Sequence, residues 1–202
     1  MTTTLSTLAI ILGVARMLMF IALHLVPSNY NIVEHAVSDY AVGRTRRLSS
    51  IMTWTTAAFW AALALATIFA FPNWDSLTSV VIRLVALTAI FVALPFLPTD
   101  LEDSKATAVG RLHLVAAVAW FALSYSCMSD FTELLRSDAS APVTTTLVAS
   151  GWVALVSLIA LVLALLVRPL RRYAFGISER IFLLSVNVFY VAVAAGILLL
   201  SL

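Results

Sequence analysis

The sequence predicts an all-α integral membrane protein, a bundle of about six transmembrane helices with a short interfacial helix or loop between the first two. Two features of composition and one pattern predict it. Of 202 residues, 62% are hydrophobic and 11% charged, where a soluble domain carries about 25% charged residues. Mean hydropathy is +1.05, higher than a domain with a polar surface sustains. The apolar residues fall into six runs, each of about 20 residues, enough for a helix to cross a hydrocarbon core of roughly 30 Å.

The runs cover residues 4–26, 48–71, 77–97, 109–129, 145–167 and 178–201. Met1 to Thr7 carry no basic side chain, and the first run exceeds the roughly 7–15 residues of a signal h-region, so it is expected to remain as a span. Pro27, Pro72, Pro98 and Pro169 each follow a run, where proline cannot continue a helix. Trp74 beside Pro72 suits the membrane interface. Pro95 lies inside the third run and removes a helical hydrogen bond, so a kink that opens a cavity is expected there. Without an internal repeat or an independent soluble segment, residues 1–202 read as one helical domain.

Net charge is +2, but the basic residues are not a nucleic-acid patch. Arg44, Arg46, Arg47, Lys105, Arg168, Arg171 and Arg172 occupy the connections after the first, third and fifth runs. Arg111 and Arg180 stand just inside the runs that follow, while the other side has Arg136 and, near a span end, Arg83. The positive-inside rule therefore expects loops 27–47, 98–108 and 168–177 in the cytoplasm and both termini outside. One cysteine, Cys127, excludes an intrachain disulfide and argues against a cysteine metal cluster.

The polar residues concentrate at that expected cytoplasmic face. In 31–43, Asn31, Glu34, His35, Ser38 and Asp39 alternate with Ile32, Val33, Ala36, Val37 and Tyr40, an amphipathic pattern for a short interfacial helix ended by Gly43. Such a helix would place His35, Ser38 and Asp39 on one face. A plain polar loop before the second span explains the same residues. Thr99 and Asp100 follow the third run, with Glu102 and Asp103 expected only at the surface. Gly110 lets another helix approach and leaves His113 facing the bundle. Ser178 and Glu179 suit helix capping and the helix dipole. Arg180 opposes that dipole, so it is expected to bind lipid phosphate or to pair with Asp39 or Asp100.

Arg16 stands near the middle of the first run, where a cation costs at least about 2.5–3.5 kcal/mol. It is expected to face the bundle interior with Asn187 as a neutral partner and His24 continuing the polar line; the alternative is snorkelling to the outer surface. His35, Asp39, Asp100 and His113 form a donor set suited to zinc if they converge, although neither an HExxH nor an HxxxH occurs. Gly151, Ala154 and Ser157 make a small-residue stripe for packing another helix, from a second copy or another membrane protein.

His35-x-x-Ser38-Asp39-Tyr40, Leu97-Pro98-Thr99-Asp100, Gly110-x-x-His113 and Ser178-Glu179-Arg180, in that order, resemble the domain of unknown function 998 family of bacterial and archaeal multi-pass membrane proteins. The resemblance implies a helical domain in a prokaryotic plasma membrane and no particular reaction. The Ser-Asp step is faintly similar to the Frag1/DRAM/Sfk1 membrane proteins, some of them linked to lipid handling. Ser, Asp and His at one face are also similar to the zinc hydrolases related to alkaline ceramidase, whose paired histidines on one late helix this chain lacks. Three functions follow as expectations. The first is binding of a lipid headgroup or other polar ligand by His35, Ser38, Asp39, Thr99, Asp100, His113, Glu179 and Arg180, with Arg16 and Asn187 deeper in the same set, carboxylates toward an amine and Arg180 toward phosphate. The second is zinc-dependent hydrolysis of lipid amides or esters. The third is a structural or assembly subunit, or a transporter.

Overall fold

The computed structural model describes residues 1–27, 30–100 and 105–202, the side chain of Arg168 excepted. Six of its helical segments are long and apolar enough to cross a membrane, and the described residues include no strand. The helices are α1 (Thr2–Leu25), α2 (Arg46–Ala70), α3 (Leu77–Ala93), α4 (Ala108–Ser126), α5 (Met128–Leu135), α6 (Ala141–Leu166) and α7 (Arg168–Leu200). The eight-residue α5 extends the fourth span beyond its expected end.

Successive spans alternate in direction, and the Thr3 and Ser201 hydroxyls lie 3.2 Å apart, so the two termini share one end of the bundle. The opposite end carries Arg44, Arg46, Arg47, Lys105, Arg171 and Arg172 and is called the basic end below. Helix α7 packs between α6 and α1, α1 packs on α2, and α2 on α3, while α4 touches its neighbours only lightly. Helices α2 and α7 are therefore the most buried spans. Phe59, Trp60 and Leu63 of α2 and Phe182, Phe189 and Tyr190 of α7 are fully buried, and Trp60 meets the Tyr190 ring edge-on at 4.7 Å. Ile11, Leu18, Ile82, Val85, Val115 and Val156 face outward, as lipid-facing positions should.

Along α6 the buried positions are Val143, Leu147, Ser150, Ala154, Ser157, Leu161 and Ala164. The alternating four- and three-residue spacing makes a coiled-coil-like seam, and α7 is the helix that α6 packs against most closely. Ala154 and Ser157 of the small-residue stripe are thus buried within the chain. Near the termini end, Arg83 Nη2 pairs with Asp130 Oδ2 at 2.7 Å, and its Nη1 donates to Ser126 O. This cation joins α3 to α5.

Three local expectations change. Residues 168–177 form the start of α7 instead of a loop, because Pro169 occupies the first helical turn, where its fixed φ favours helix and its missing N–H costs nothing. At 33 residues and 1.5 Å per residue, α7 is about 50 Å long, so its basic first turns project past the hydrocarbon core. Residues 31–43 do not form one helix. They contain a turn and a 3-10 segment, Val37–Ala41, and Gly43, at φ +73°, opens a second one, Gly43–Thr45. Pro95 ends α3 in a 3-10 turn, Leu94–Phe96, so no kink lies within the helix.

The α6–α7 seam gives the fold's own test. Ala154→Phe is expected to destabilise the protein by about 1–3 kcal/mol through overpacking, read as a lower midpoint in detergent-mediated unfolding. Lipid-facing Val156→Phe should leave the midpoint unchanged.

Candidate functional site at the basic end

The 31–45 segment has little regular structure, so its backbone polar groups need partners. Some are local. Asn31 Oδ1 accepts from Val33 N at 2.9 Å, and Asn31 N donates to His35 Nδ1 at 2.9 Å. Ala36 N donates to Asp39 Oδ2 at 3.0 Å, while Asp39 N donates back to Ala36 O. Thr45 Oγ1 donates to Tyr40 O at 2.7 Å. These bonds explain why Asn, His, Asp and Thr recur here. They close turns through side-chain-to-backbone bonding instead of lining one helix face.

Helix α7 supplies the remaining partners. Gly176 N donates to Val33 O at 2.9 Å, Val37 N donates to Glu179 Oε2 at 2.6 Å, and Arg180 Nη1 donates to His35 O at 2.8 Å and to Gly176 O at 2.9 Å. A Cβ at position 176 would fall 2.6 Å from Ile32 O and 2.7 Å from His35 O, so glycine allows the segment to lie directly on the helix. Arg180 Nε donates to His24 Nε2 at 2.8 Å. His24 Nδ1 lies 2.7 Å from Phe20 O. A carbonyl only accepts, so His24 carries its proton on Nδ1 and offers the Nε2 lone pair to arginine. The guanidinium also stands 5.9 Å from the Tyr40 ring centroid. Asp39, Glu179 and Arg180 are all more than nine-tenths buried, yet Arg180 Nη2 has no hydrogen-bond partner among the described residues.

Tyr30 packs on His35 and Tyr40, and burial, with the Asp39 carboxylate next, raises its hydroxyl pKa. Ser38 is half-buried on the first 3-10 segment. Arg172 and Glu34 approach only to 3.8 Å, with the arginine mostly exposed, a pair worth little.

Asp100 and His113 belong to a second cluster, where α3 meets α4. Asp100 accepts from Thr107 N at 2.7 Å and from Thr107 Oγ1 at 2.8 Å. Thr107 Oγ1 in turn caps α4 by accepting from Gly110 N at 2.9 Å. A Cβ at Gly110 would collide with the Asp100 carboxylate, so this glycine makes room for a side chain and not for another helix. His113 Nδ1 donates to Leu97 O at 2.7 Å. Thr99 is half-buried next to Asp100. Glu102 and Asp103 lie outside the described residues.

The expected convergence of His35, Asp39, Asp100 and His113 is therefore not found. Among the described residues, no three His, Cys, Asp or Glu side chains are placed to hold a metal ion. His35 and His113 each spend Nδ1 on a backbone group, and Asp39 and Asp100 each brace a different turn.

One turn-pair deeper, Arg16 is 6% exposed and packs toward α7 instead of reaching the outer surface. Asn187 Nδ2 donates to Gly13 O at 3.3 Å. Arg16 Nη1 and Asn187 Oδ1 have no partners among the described residues, and both residues line a cavity of about 10 Å³ with Met17, Phe20, Leu183 and Leu184. That is room for about one water.

Sequence reasoning missed Gly176 and Thr107, and it gave Tyr40 a place in the motif but no contact with Arg180. The signal for Gly176 is its place one helical turn before Arg180, which reading 168–177 as a loop hides. Thr107 was visible as a capping residue three positions before Gly110.

The fold and these tethers define a multi-pass α-helical membrane protein. Residues 9–196 match the family model described as "Protein of unknown function (DUF998)", and the chain belongs to that family. No curated protein and no solved structure matches it.

Two outcomes test the tethers. Gly176→Val should free the 31–45 segment, raising its hydrogen exchange and proteolysis and lowering stability by about 1–3 kcal/mol. At the second cluster, the Thr107 N–H and then its hydroxyl hold the Asp100 pKa below its ordinary value. A carboxylate with a lowered folded pKa contributes stability above its unfolded pKa, about 3.9, and loses it as pH falls through the folded value. Amide exchange at Thr107–Gly110 should accordingly rise only in that acid window, and Asp100→Asn should flatten the profile.

Proposed function

We propose that this protein binds a phosphate-type anion, foremost a lipid headgroup, at the basic end of the α1–α7 seam, and that this end is cytoplasmic in a prokaryotic plasma membrane. The observation that carries the reading is Arg180. Its side chain is 8% exposed, it has ordered Nε and Nη1 bonds, and its Nη2 finds no acceptor among the described residues. A buried charged donor without a partner costs more than the roughly 1–3 kcal/mol of a neutral one, and an anionic oxygen is the acceptor that best offsets that cost.

The setting supports the same chemistry. Arg171 and Arg172 lie on the preceding turns of α7, and Arg44, Arg46 and Arg47 stand where α2 begins. Juxtamembrane basic clusters attract anionic headgroups by about 1 kcal/mol per side chain. The zwitterionic expectation narrows to its phosphate half, because Glu179, Asp39 and Asp100 already accept backbone N–H groups. A hydrolase needs the imidazoles and carboxylates together, and nothing in their arrangement favours it.

Native mass spectrometry of gently extracted protein tests the reading. The wild type should retain a phosphate-bearing lipid, Arg180→Gln should reduce it by about tenfold, and Arg180→Lys should restore part of it. An adduct of the mass of free phosphate, lost in the same variant, would assign the site to the soluble anion. Retention unchanged in a folded Arg180→Gln protein would overturn the proposal.

A further inference from the structure

At the termini end, far from Arg180, α4, α5 and α6 enclose an open cleft of about 580 Å³. It exists because α4 packs only lightly on α6 and the short α5 spans the gap between them. We infer that this cleft binds one zwitterionic phospholipid of the leaflet at that end.

The lining has the polarity gradient of such a lipid. Its outer part is α5, with Ser129, Thr132 and Glu133, and Arg136 just past the helix end. Its inner part is α6, where Leu147, Val148, Trp152 and Leu155 run into the apolar span. From Leu147 to Leu155 is about 12 Å at 1.5 Å per residue, enough to follow the upper part of an acyl chain. Trp152 is 64% exposed at the wall of this groove.

Charge decides the headgroup. Glu133 on α5 and Arg136, the residue just past its end, are opposite charges three positions apart, both exposed, and neither forms an ion pair within 4.0 Å among the described residues. A phosphate toward Arg136 and an ammonium toward Glu133 complement both. An anionic headgroup would leave Glu133 facing a like charge. Ser129 and Thr132, on the same helix, add polar lining beside them, the Thr132 hydroxyl donating to Met128 O.

Gly151 makes the site testable. It lines the cleft, and a Cβ built there meets nothing within 4 Å. A large side chain at 151 therefore enters the cleft without striking the core.

The experiment is native mass spectrometry of the full chain released from nanodiscs of mixed phosphatidylethanolamine and phosphatidylglycerol. The wild type and Gly151→Ala should each retain one phosphatidylethanolamine. Gly151→Trp should lower that occupancy about tenfold with an unchanged melting temperature, and Glu133→Gln with Arg136→Gln should abolish the preference over phosphatidylglycerol. Arg180→Gln should leave this adduct in place, which separates it from the basic-end ligand. Unchanged retention in Gly151→Trp, or equal retention of both lipids by the wild type, would overturn the inference. So would a wild-type dimer that Gly151→Trp dissociates, since a second copy would then fill the cleft.

Discussion

The connection between α1 and α2 is held by one helix, and the rest of the basic end depends on that grip. Irregular backbone at membrane depth survives only where its N–H and C=O groups find partners inside the protein. Val33 O, His35 O and Val37 N find theirs on α7, in Gly176 N, Arg180 Nη1 and Glu179 Oε2. The same guanidinium reaches His24 on α1. One cation thus fixes the end of α1, the connecting segment and the start of α7 relative to one another. Thr45, bonded to Tyr40 O, passes that constraint to α2. Glycine at 176 is part of the same device, since any side chain there would push the segment off the carbonyl-binding surface.

The α3–α4 connection follows the same logic with different groups. Asp100 anchors the Thr107 cap, Gly110 clears space for the carboxylate, and His113 holds the Leu97 carbonyl at the end of the previous span. The four polar motifs are therefore connections between span ends before they are anything else. Most of their donors and acceptors are used internally. What distinguishes Arg180 is the N–H that remains.

Much of the fold was legible because hydropathy alone determines which stretches must be helices in lipid. The start of α7 was not, since Pro169 with Arg168, Arg171 and Arg172 has the composition of a loop, and only the proline's place in the first turn makes it helical. The 31–43 periodicity misled for another reason: Asn31 and Asp39 recur at helical spacing while closing local turns with their own backbone. The site was half legible. Spacing along a span gives depth, so Asp100, His113, Asp39 and Arg180 were rightly placed near one face. It does not give direction around the bundle, and that is why two clusters on different helix pairs were expected as one.

Depth and direction together give the α1–α7 seam its polarity. His24 and Arg16 lie eight residues apart on α1, Arg180 and Asn187 seven apart on α7, and the helices run antiparallel. The four side chains therefore form two rungs about two turns, or 11 Å, apart. Each rung holds a buried arginine with an N–H that no described residue accepts. Beyond the second rung the seam closes: a Cβ at Gly13 would fall 2.5 Å from Val191 and 3.2 Å from Phe59, and Gly13 O is already taken by Asn187. The small cavity beside the second rung, lined also by Met17 and Phe20, has room for about one water to meet the Arg16 donor. The tight packing at Gly13 therefore bounds the polar part of the seam on the side of the termini.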